Sequence, residues 1–250
     1  MARFLRVLHQ GSPRFVELID GALHLLDAAP WAGGSALGET LPISSAPLAP
    51  VEPSKIICVA KNYREHAKEM QGEVPEEPLL FFKPPSSILD PGGKVILPPG
   101  VERTDFEAEL GVVIGKRAAR VTEAEAMAHV FGYTVVCDVT ARDYQKKDRL
   151  WTRAKGFDTF CPAGPELVSD LEPDALRIHL TQNGETRQDG NTRDMVFSIA
   201  QVIAFASSFM TLEPGDLIAT GTPHGVGPLA SGDAIRIDID GLEVLEFSVA

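Results

Sequence analysis

The sequence predicts a β-rich α+β fold, with short helices packed outside the sheets and a small β appendage at the N-terminus. Three observations lead there. Short runs of β-branched and aromatic residues, bounded by turn residues, recur along the whole chain. Helix-like stretches are fewer and short. The two kinds do not alternate in the regular way that builds a parallel βαβ sheet.

The elements read in order as follows. "FLRVL", "RFVELID" and "ALHLLD" alternate loosely between Phe4 and Leu26, and Asp20-Gly21 between two apolar runs is a hairpin signal. "PWAGGSALGETLPISSAPLAPVEPS" is rich in Pro, Gly and Ser and reads as an irregular linker. The boundary therefore falls near residue 54, with a small N-terminal domain and linker over 1–54 and the main domain over 55–250. "KIICVA" is a buried strand, and "LLFFKPPSS" is a strand stopped by prolines. "ELGVVIG" and "FGYTVVCDVT" follow as strands, separated by a helix that Thr122 and Glu125 open as a capping box. Asn183-Gly184 marks a turn, Ser198 and Gln201 open the helix "SIAQVIAFASSFM", and "DLIATGTP" and "DAIRIDIDGLEVLEFSVA" close the chain as strands.

Composition narrows the function classes. The 250 residues are 44% hydrophobic and carry a net charge of −12, an ordinary globular balance tilted acidic. A nucleic-acid binder needs a basic patch, and the one short cluster, "RDYQKKDR", is interrupted by acids. An anionic small substrate would need a local positive pocket against that field. No run approaches the eighteen or so apolar residues of a membrane helix, since Ser198–Leu212 is broken by Gln201, Ser207 and Ser208. The N-terminus reads as lacking a signal peptide. Cys58, Cys137 and Cys161 are too few and too scattered for a disulfide framework or a thiolate zinc site, so they read as small buried apolar residues in a cytoplasmic protein.

The chemistry-bearing stretch is "TDFEAELGVVIG". Side chains alternate faces along a strand, so Asp105, Glu107 and Glu109 share one face. Such a face is either a solvated acidic edge or a cation site, because clustered carboxylates repel unless one binds a proton or a metal. Asp138, at the end of the apolar strand "YTVVCD", adds a carboxylate that is costly there unless paired or ligated. Glu107, Glu109 and Asp138 together point to a hard divalent ion with open coordination positions. Asp105 is a fourth contributor or an acceptor just behind the ligands. In "KNYREHAKEM", His66 and Glu69 share a helix face, either as a surface pair or as an imidazole oriented by a carboxylate for general-base work. Lys155, in "LWTRAKGFD", is either solvent-exposed or an anion-binding lysine. "TGTPHGVGP" lacks the GK[ST] of a phosphate loop, so nucleotide binding is set aside in favour of close backbone approach to a ligand.

Seven segments in order resemble the fumarylacetoacetate hydrolase superfamily: "KNYREHAKEM", "LLFFKPPSS", "TDFEAELGVVIG", "GYTVVCDVTARD", "WTRAKGFDTFCPAGP", "NGETRQDGNTRDMVFS" and "TGTPHGVGP". The resemblance runs from Lys55 to the C-terminus. It implies a mixed β-roll, a homodimer, and Mg²⁺ on Glu107, Glu109 and Asp138, with Mn²⁺ or Ca²⁺ as alternatives. It implies a His66–Glu69 dyad on a short helix that orders with ligand, and a Lys155 facing substrate. Arg142, Gln145, Lys83 and Thr222 match substrate-binding positions. "VTARDYQKKDRL" is shorter than in acylpyruvase-like members, which alters the pocket wall. The implied activity is hydrolysis or decarboxylation of a C–C bond in small 2-oxo dicarboxylates through a metal-bound enolate. The alternative is isomerisation or decarboxylation of 2-hydroxyhepta-2,4-diene-1,7-dioate and related aromatic-catabolism intermediates. The expected partner is a small anionic 2-oxo acid, not nucleic acid or membrane.

Overall fold

The computed structural model describes residues 1–250. Strands build three sheets, of twelve, five and three strands. The five helices are short: α1 (Arg64–Glu69), α2 (Glu123–Ala126), α3 (Arg142–Lys147), α4 (Thr152–Lys155) and α5 (Ile199–Phe209). The β-rich α+β expectation therefore holds.

The N-terminal runs form an antiparallel ladder, Arg3–His9 on Ser12–Ile19 and then Ser12–Ile19 on Ala22–Leu26. Asp20 and Gly21 have φ of 48° and 79°, the left-handed pair that a two-residue hairpin turn requires. Arg3–Leu5 pair onward with Glu166–Val168, so these strands continue the twelve-stranded sheet rather than stand beside it. The segment expected to be an irregular linker carries two strands, Ala36–Leu41 along Ala22–Leu26 and Pro47–Leu48 against Arg6 and Val7. Ala36–Leu41 buries no side chain, so no apolar periodicity announces it; the open edge of the preceding strand supplies its hydrogen bonds.

The central strands are Cys161–Val168, Val130–Cys137, Ala108–Ile114, Leu217–Ala219, Ile56–Ala60 and, at the edge, Leu79–Lys83. Ala108–Ile114 and Cys161–Val168 are buried along their whole length, Glu109 and Glu166 included; the two prolines of Cys161–Val168 kept it from being read as a strand. The five-stranded sheet turns Ile178, Leu180, Ile235, Ile237 and Ile239 into a core of 35 buried residues. α5 covers that core with Ile199, Val202, Ile203 and Ala206, spaced i, i+3, i+4, i+7. Both expected capping boxes close, Thr122 with Glu125 and Ser198 with Gln201. All three cysteines are buried and unpaired. No helix is long and apolar enough to cross a membrane.

One topological detail positions the site. Thr104–Phe106 belongs to the three-stranded sheet, between Thr140–Ala141 and Gly227–Pro228, whereas Ala108–Ile114 belongs to the large sheet. The chain changes sheets at Glu107.

Candidate active site

Ala108 faces Cys137 across an antiparallel pair, so Glu107 meets Asp138 at the open end of that ladder, and the Asp138 N–H donates to the Glu107 carbonyl over 2.8 Å. Glu109 lies two residues on, on the same face as Glu107. The two-residue period and one register together bring the three carboxylates into a cluster whose facing oxygens lie within 4.8 Å of one another. All three are buried.

Their environments differ. Lys155 Nζ donates to Glu107 Oε2 over 2.9 Å and to Asp138 Oδ2 over 2.6 Å. Arg142 Nη2 donates to Glu107 Oε1 over 2.6 Å. Burial pushes the Glu107 carboxyl up, but the charges of Lys155 and Arg142 outweigh it and hold the group far below the ordinary range. Burial depresses Lys155, and the facing Asp138 and Glu107 carboxylates more than reverse that. Glu109 has no basic side chain in ion-pair contact; its one donor is the Gly221 N–H, over 2.8 Å. Burial, then Asp138 and Glu107, raise it well above the ordinary range. Three clustered oxygen donors, one of them short of positive charge, suit a hard divalent cation such as Mg²⁺, Mn²⁺ or Ca²⁺.

α1 presents the second group. His66 Nδ1 lies 3.0 Å from Glu69 Oε2, one helical turn away. A carboxylate only accepts, so Nδ1 carries the proton in this pair and the Nε2 lone pair faces the cavity. Nε2 is 4.0 Å from Glu107 Oε1. Glu69 in turn accepts from the Gly225 N–H over 3.1 Å. The "TGTPHGVGP" loop thus holds both a carboxylate of the triad and the orienter of the imidazole.

Of the eleven residues named from sequence, eight line one cavity of about 140 Å³. Glu69 stands behind His66. Lys83 is a correction: expected among the substrate-binding positions, it is fully buried behind Asp138, with Nζ donating to Asp138 Oδ1 over 2.6 Å and to the Val139 carbonyl over 3.0 Å. It shares a strand face with the cavity-lining Phe81, but its ammonium is taken up by Asp138 and the Val139 carbonyl, so it braces a carboxylate. Asp105 is also fully buried, gripped by Arg103 Nε and Arg142 Nε, each over 2.7 Å, and it anchors the arginine that reaches Glu107. Arg142 Nη1 donates to Gln145 Oε1 over 2.8 Å.

Sequence reasoning missed the cavity's apolar walls, Met70, Phe81 and Trp151. Phe81 and Trp151 meet edge to face with centroids 5.4 Å apart, and Lys155 Nζ sits 4.7 Å from the Phe81 centroid. Trp151 lies four residues before Lys155 in a quoted motif, the only signal that could have found it.

Residues 55–250 match the fumarylacetoacetate (FAA) hydrolase C-terminal family, and residues 2–50 match the Rv2993c-like N-terminal family. The chain belongs to the fumarylacetoacetate hydrolase family. The family relative named oxaloacetate tautomerase FAHD2A, mitochondrial, of Homo sapiens is 46% identical over 211 residues, covering 79% of this chain and 67% of that one. A crystal structure of 2-hydroxyhepta-2,4-diene-1,7-dioate isomerase from Mycobacterium marinum superposes with a TM-score of 0.92 at 36% identity, over 100% of this chain and 98% of that one. Fumarylacetoacetate hydrolase from Exiguobacterium antarcticum gives 0.88 at 33% identity, over 100% and 99%. Family membership thus makes the buried acidic cluster part of an enzyme fold whose named members include tautomerase, isomerase and hydrolase.

Proposed function

We propose that this chain is a divalent-metal-dependent enzyme that interconverts the keto and enol forms of small 2-oxo dicarboxylates of oxaloacetate size. The observation that carries the reading is one carboxylate-oriented imidazole facing three clustered carboxylates in a cavity of about 140 Å³. That volume is well under the ~300 Å³ at which drug-sized pockets begin, which suits a short acid. Likeness to a relative named oxaloacetate tautomerase supports the same reading.

Glu107, Glu109 and Asp138 would hold the ion, which supplies Lewis-acid stabilisation of the enolate charge when bound. The remaining work belongs to the chain. Arg142, Lys155 and the amide of Gln145 offer donors to an anionic substrate inside an otherwise acidic protein. His66 Nε2 takes a proton from the carbon next to the carbonyl. The C–H electron pair becomes the C=C bond, and the carbonyl pair passes to oxygen. The imidazolium then returns its proton to that oxygen, restoring the neutral ring. Glu69 stabilises the imidazolium during the transfer. Met70, Phe81 and Trp151 keep bulk water from the transfer.

A second reading, C–C hydrolysis or decarboxylation, draws support from the whole-chain likeness to a fumarylacetoacetate hydrolase. There the same imidazole deprotonates a water. Proton transfer within one substrate needs a single relay and no bound water, and the cavity offers a single imidazole.

The test follows the enol absorbance of oxaloacetate, with Mg²⁺ or Mn²⁺ and with EDTA. The expected result is faster ketonisation with a metal ion while total oxaloacetate is conserved. Accumulation of pyruvate moves the assignment to the second reading. A rate equal to buffer with every ion sinks the first reading.

A further inference from the structure

Behind the cavity, the strand Glu185–Asn191 of the five-stranded sheet carries Gln188, which is 0% exposed. Its amide makes three hydrogen bonds. The oxygen accepts from the Ala108 N–H over 2.9 Å, and the nitrogen donates to Thr222 Oγ1 and to the Pro223 carbonyl, each over 2.8 Å. A backbone donor on one side and a carbonyl on the other fix which way the amide points.

Each partner bears on the site. Ala108 lies between Glu107 and Glu109, where the chain passes from one sheet to another. A buried N–H without a partner at that crossing would be costly, and Gln188 satisfies it. Thr222 and Pro223 belong to the loop whose Gly221 N–H holds Glu109 and whose Gly225 N–H holds Glu69.

The hairpin and the loop meet with no slack on either side of this amide. A Cβ on Gly190 would overlap the Pro223 ring, and a Cβ on Gly225 would overlap the Arg187 carbonyl oxygen. Gly225 also has φ +97°, a conformation other residues rarely adopt. The motif "NGETRQDGNTRDMVFS" therefore contributes no group to the cavity, yet it sets the height of the loop beside it.

We infer that Gln188 is a positioning residue that fixes the spacing between the acidic cluster and the His66–Glu69 pair. One amide ties the backbone joining Glu107 and Glu109 to the loop that holds Glu109 and Glu69. This rests on the roles proposed above for those four residues.

The test uses the full chain in two variants. Gln188→Met keeps the volume and removes all three bonds. Gln188→Glu, as a carboxylate, keeps the acceptor for the Ala108 N–H and loses both donor bonds. Calorimetry should find Mn²⁺ bound about tenfold more weakly by Gln188→Met, the size of effect typical of groups that orient metal ligands. Its kcat for oxaloacetate ketonisation should fall about tenfold or more, with KM moving far less. Gln188→Glu should regain Mn²⁺ affinity toward wild type while kcat stays low, because only the strand half of the tie is restored. A merely structural amide would lower Tm in both variants and leave Mn²⁺ affinity and kcat at wild-type values, and that result overturns the inference. If Gln188→Met fails to fold, Gln188→Glu decides alone, since a wild-type kcat there also overturns it. If wild type turns over no 2-oxo acid, the proposed function fails, while Mn²⁺ titration of the variants still decides the role of Gln188.

Discussion

The ammonium of Lys155 donates to Asp138 Oδ2 over 2.6 Å, with both side chains buried, and reaches Glu107 Oε2 over 2.9 Å as well. A single lysine thus bridges two of the three clustered carboxylates, each of which keeps a second cation, Arg142 on Glu107 and Lys83 on Asp138. Lys155→Met removes one of the three buried positive charges around the cluster, at a cost of about 1–3 kcal/mol in the chelated protein. A divalent cation restores the missing charge, so Mg²⁺ should raise the Tm of Lys155→Met by more than it raises that of wild type. Thermal melts with EDTA and with Mg²⁺ check this. Equal shifts would mean that the lysine charge and the ion charge do not substitute for one another.

His66 and Glu69 touch each other, and His66 Nε2 approaches the cluster no nearer than 4.0 Å from Glu107 Oε1. Metal binding and proton transfer are therefore separable. His66→Ala should bind Mn²⁺ as wild type does while kcat falls by about 10²–10⁴, the usual contribution of a positioned acid–base group. Glu69→Gln should lower kcat less, because the imidazole keeps its seat on α1 and loses only its orienting charge. Calorimetry and the ketonisation assay read the two effects independently. A near-normal rate in His66→Ala takes the imidazole out of the reaction.

The carboxylate cluster was legible in the sequence for a simple reason: a two-residue period and a strand-end aspartate survive as patterns in one dimension. Glu107 and Glu109 needed only alternation, and Asp138 stood out as a charge closing an apolar run. The short helix carrying His66 and Glu69 was legible through their i, i+3 spacing. Gln188 was not, because its function arises where three segments distant in the chain converge on one amide. Ala36–Leu41 was not, because it is held by a neighbour's open edge and only Leu41 packs on the core. Lys83 was placed with the substrate-binding positions by the resemblance alone, and sequence does not show that Asp138 and the Val139 carbonyl take up its ammonium.

That misassignment yields a test of its own. Lys83 contacts Asp138 Oδ1 and the Val139 carbonyl and has no exposed surface. Lys83→Met should destabilise the protein by about 3–5 kcal/mol, because Asp138 loses a buried partner. It should weaken Mn²⁺ binding, because Asp138 is no longer braced from behind. KM for a 2-oxo acid should stay at its wild-type value once metal is saturating. A raised KM with an unchanged Tm would return Lys83 to the substrate-binding set.

Away from the site, Asp233 closes the turn that precedes the strand Ala234–Ile239 of the five-stranded sheet. It accepts from the Ala230 N–H over 2.7 Å, from Gln182 Nε2 over 2.6 Å and from Asn183 Nδ2 over 2.8 Å. Burial alone would raise its carboxyl, but these three donors outweigh burial and hold it below the ordinary value. The unfolded chain therefore binds a proton in a range where the folded chain does not. The stabilisation is complete above the unfolded value of about 3.9 and is lost as pH falls through the lower folded value. Asp233→Asn replaces one acceptor oxygen by a donor and should cost about 1–3 kcal/mol at neutral pH. That difference should shrink below about pH 4, as the unfolded chain and then the folded wild type take up the proton. Urea unfolding of both proteins across this range measures the effect, and a gap that stays constant down to the acid limit would show that geometry rather than charge sets the contribution of Asp233.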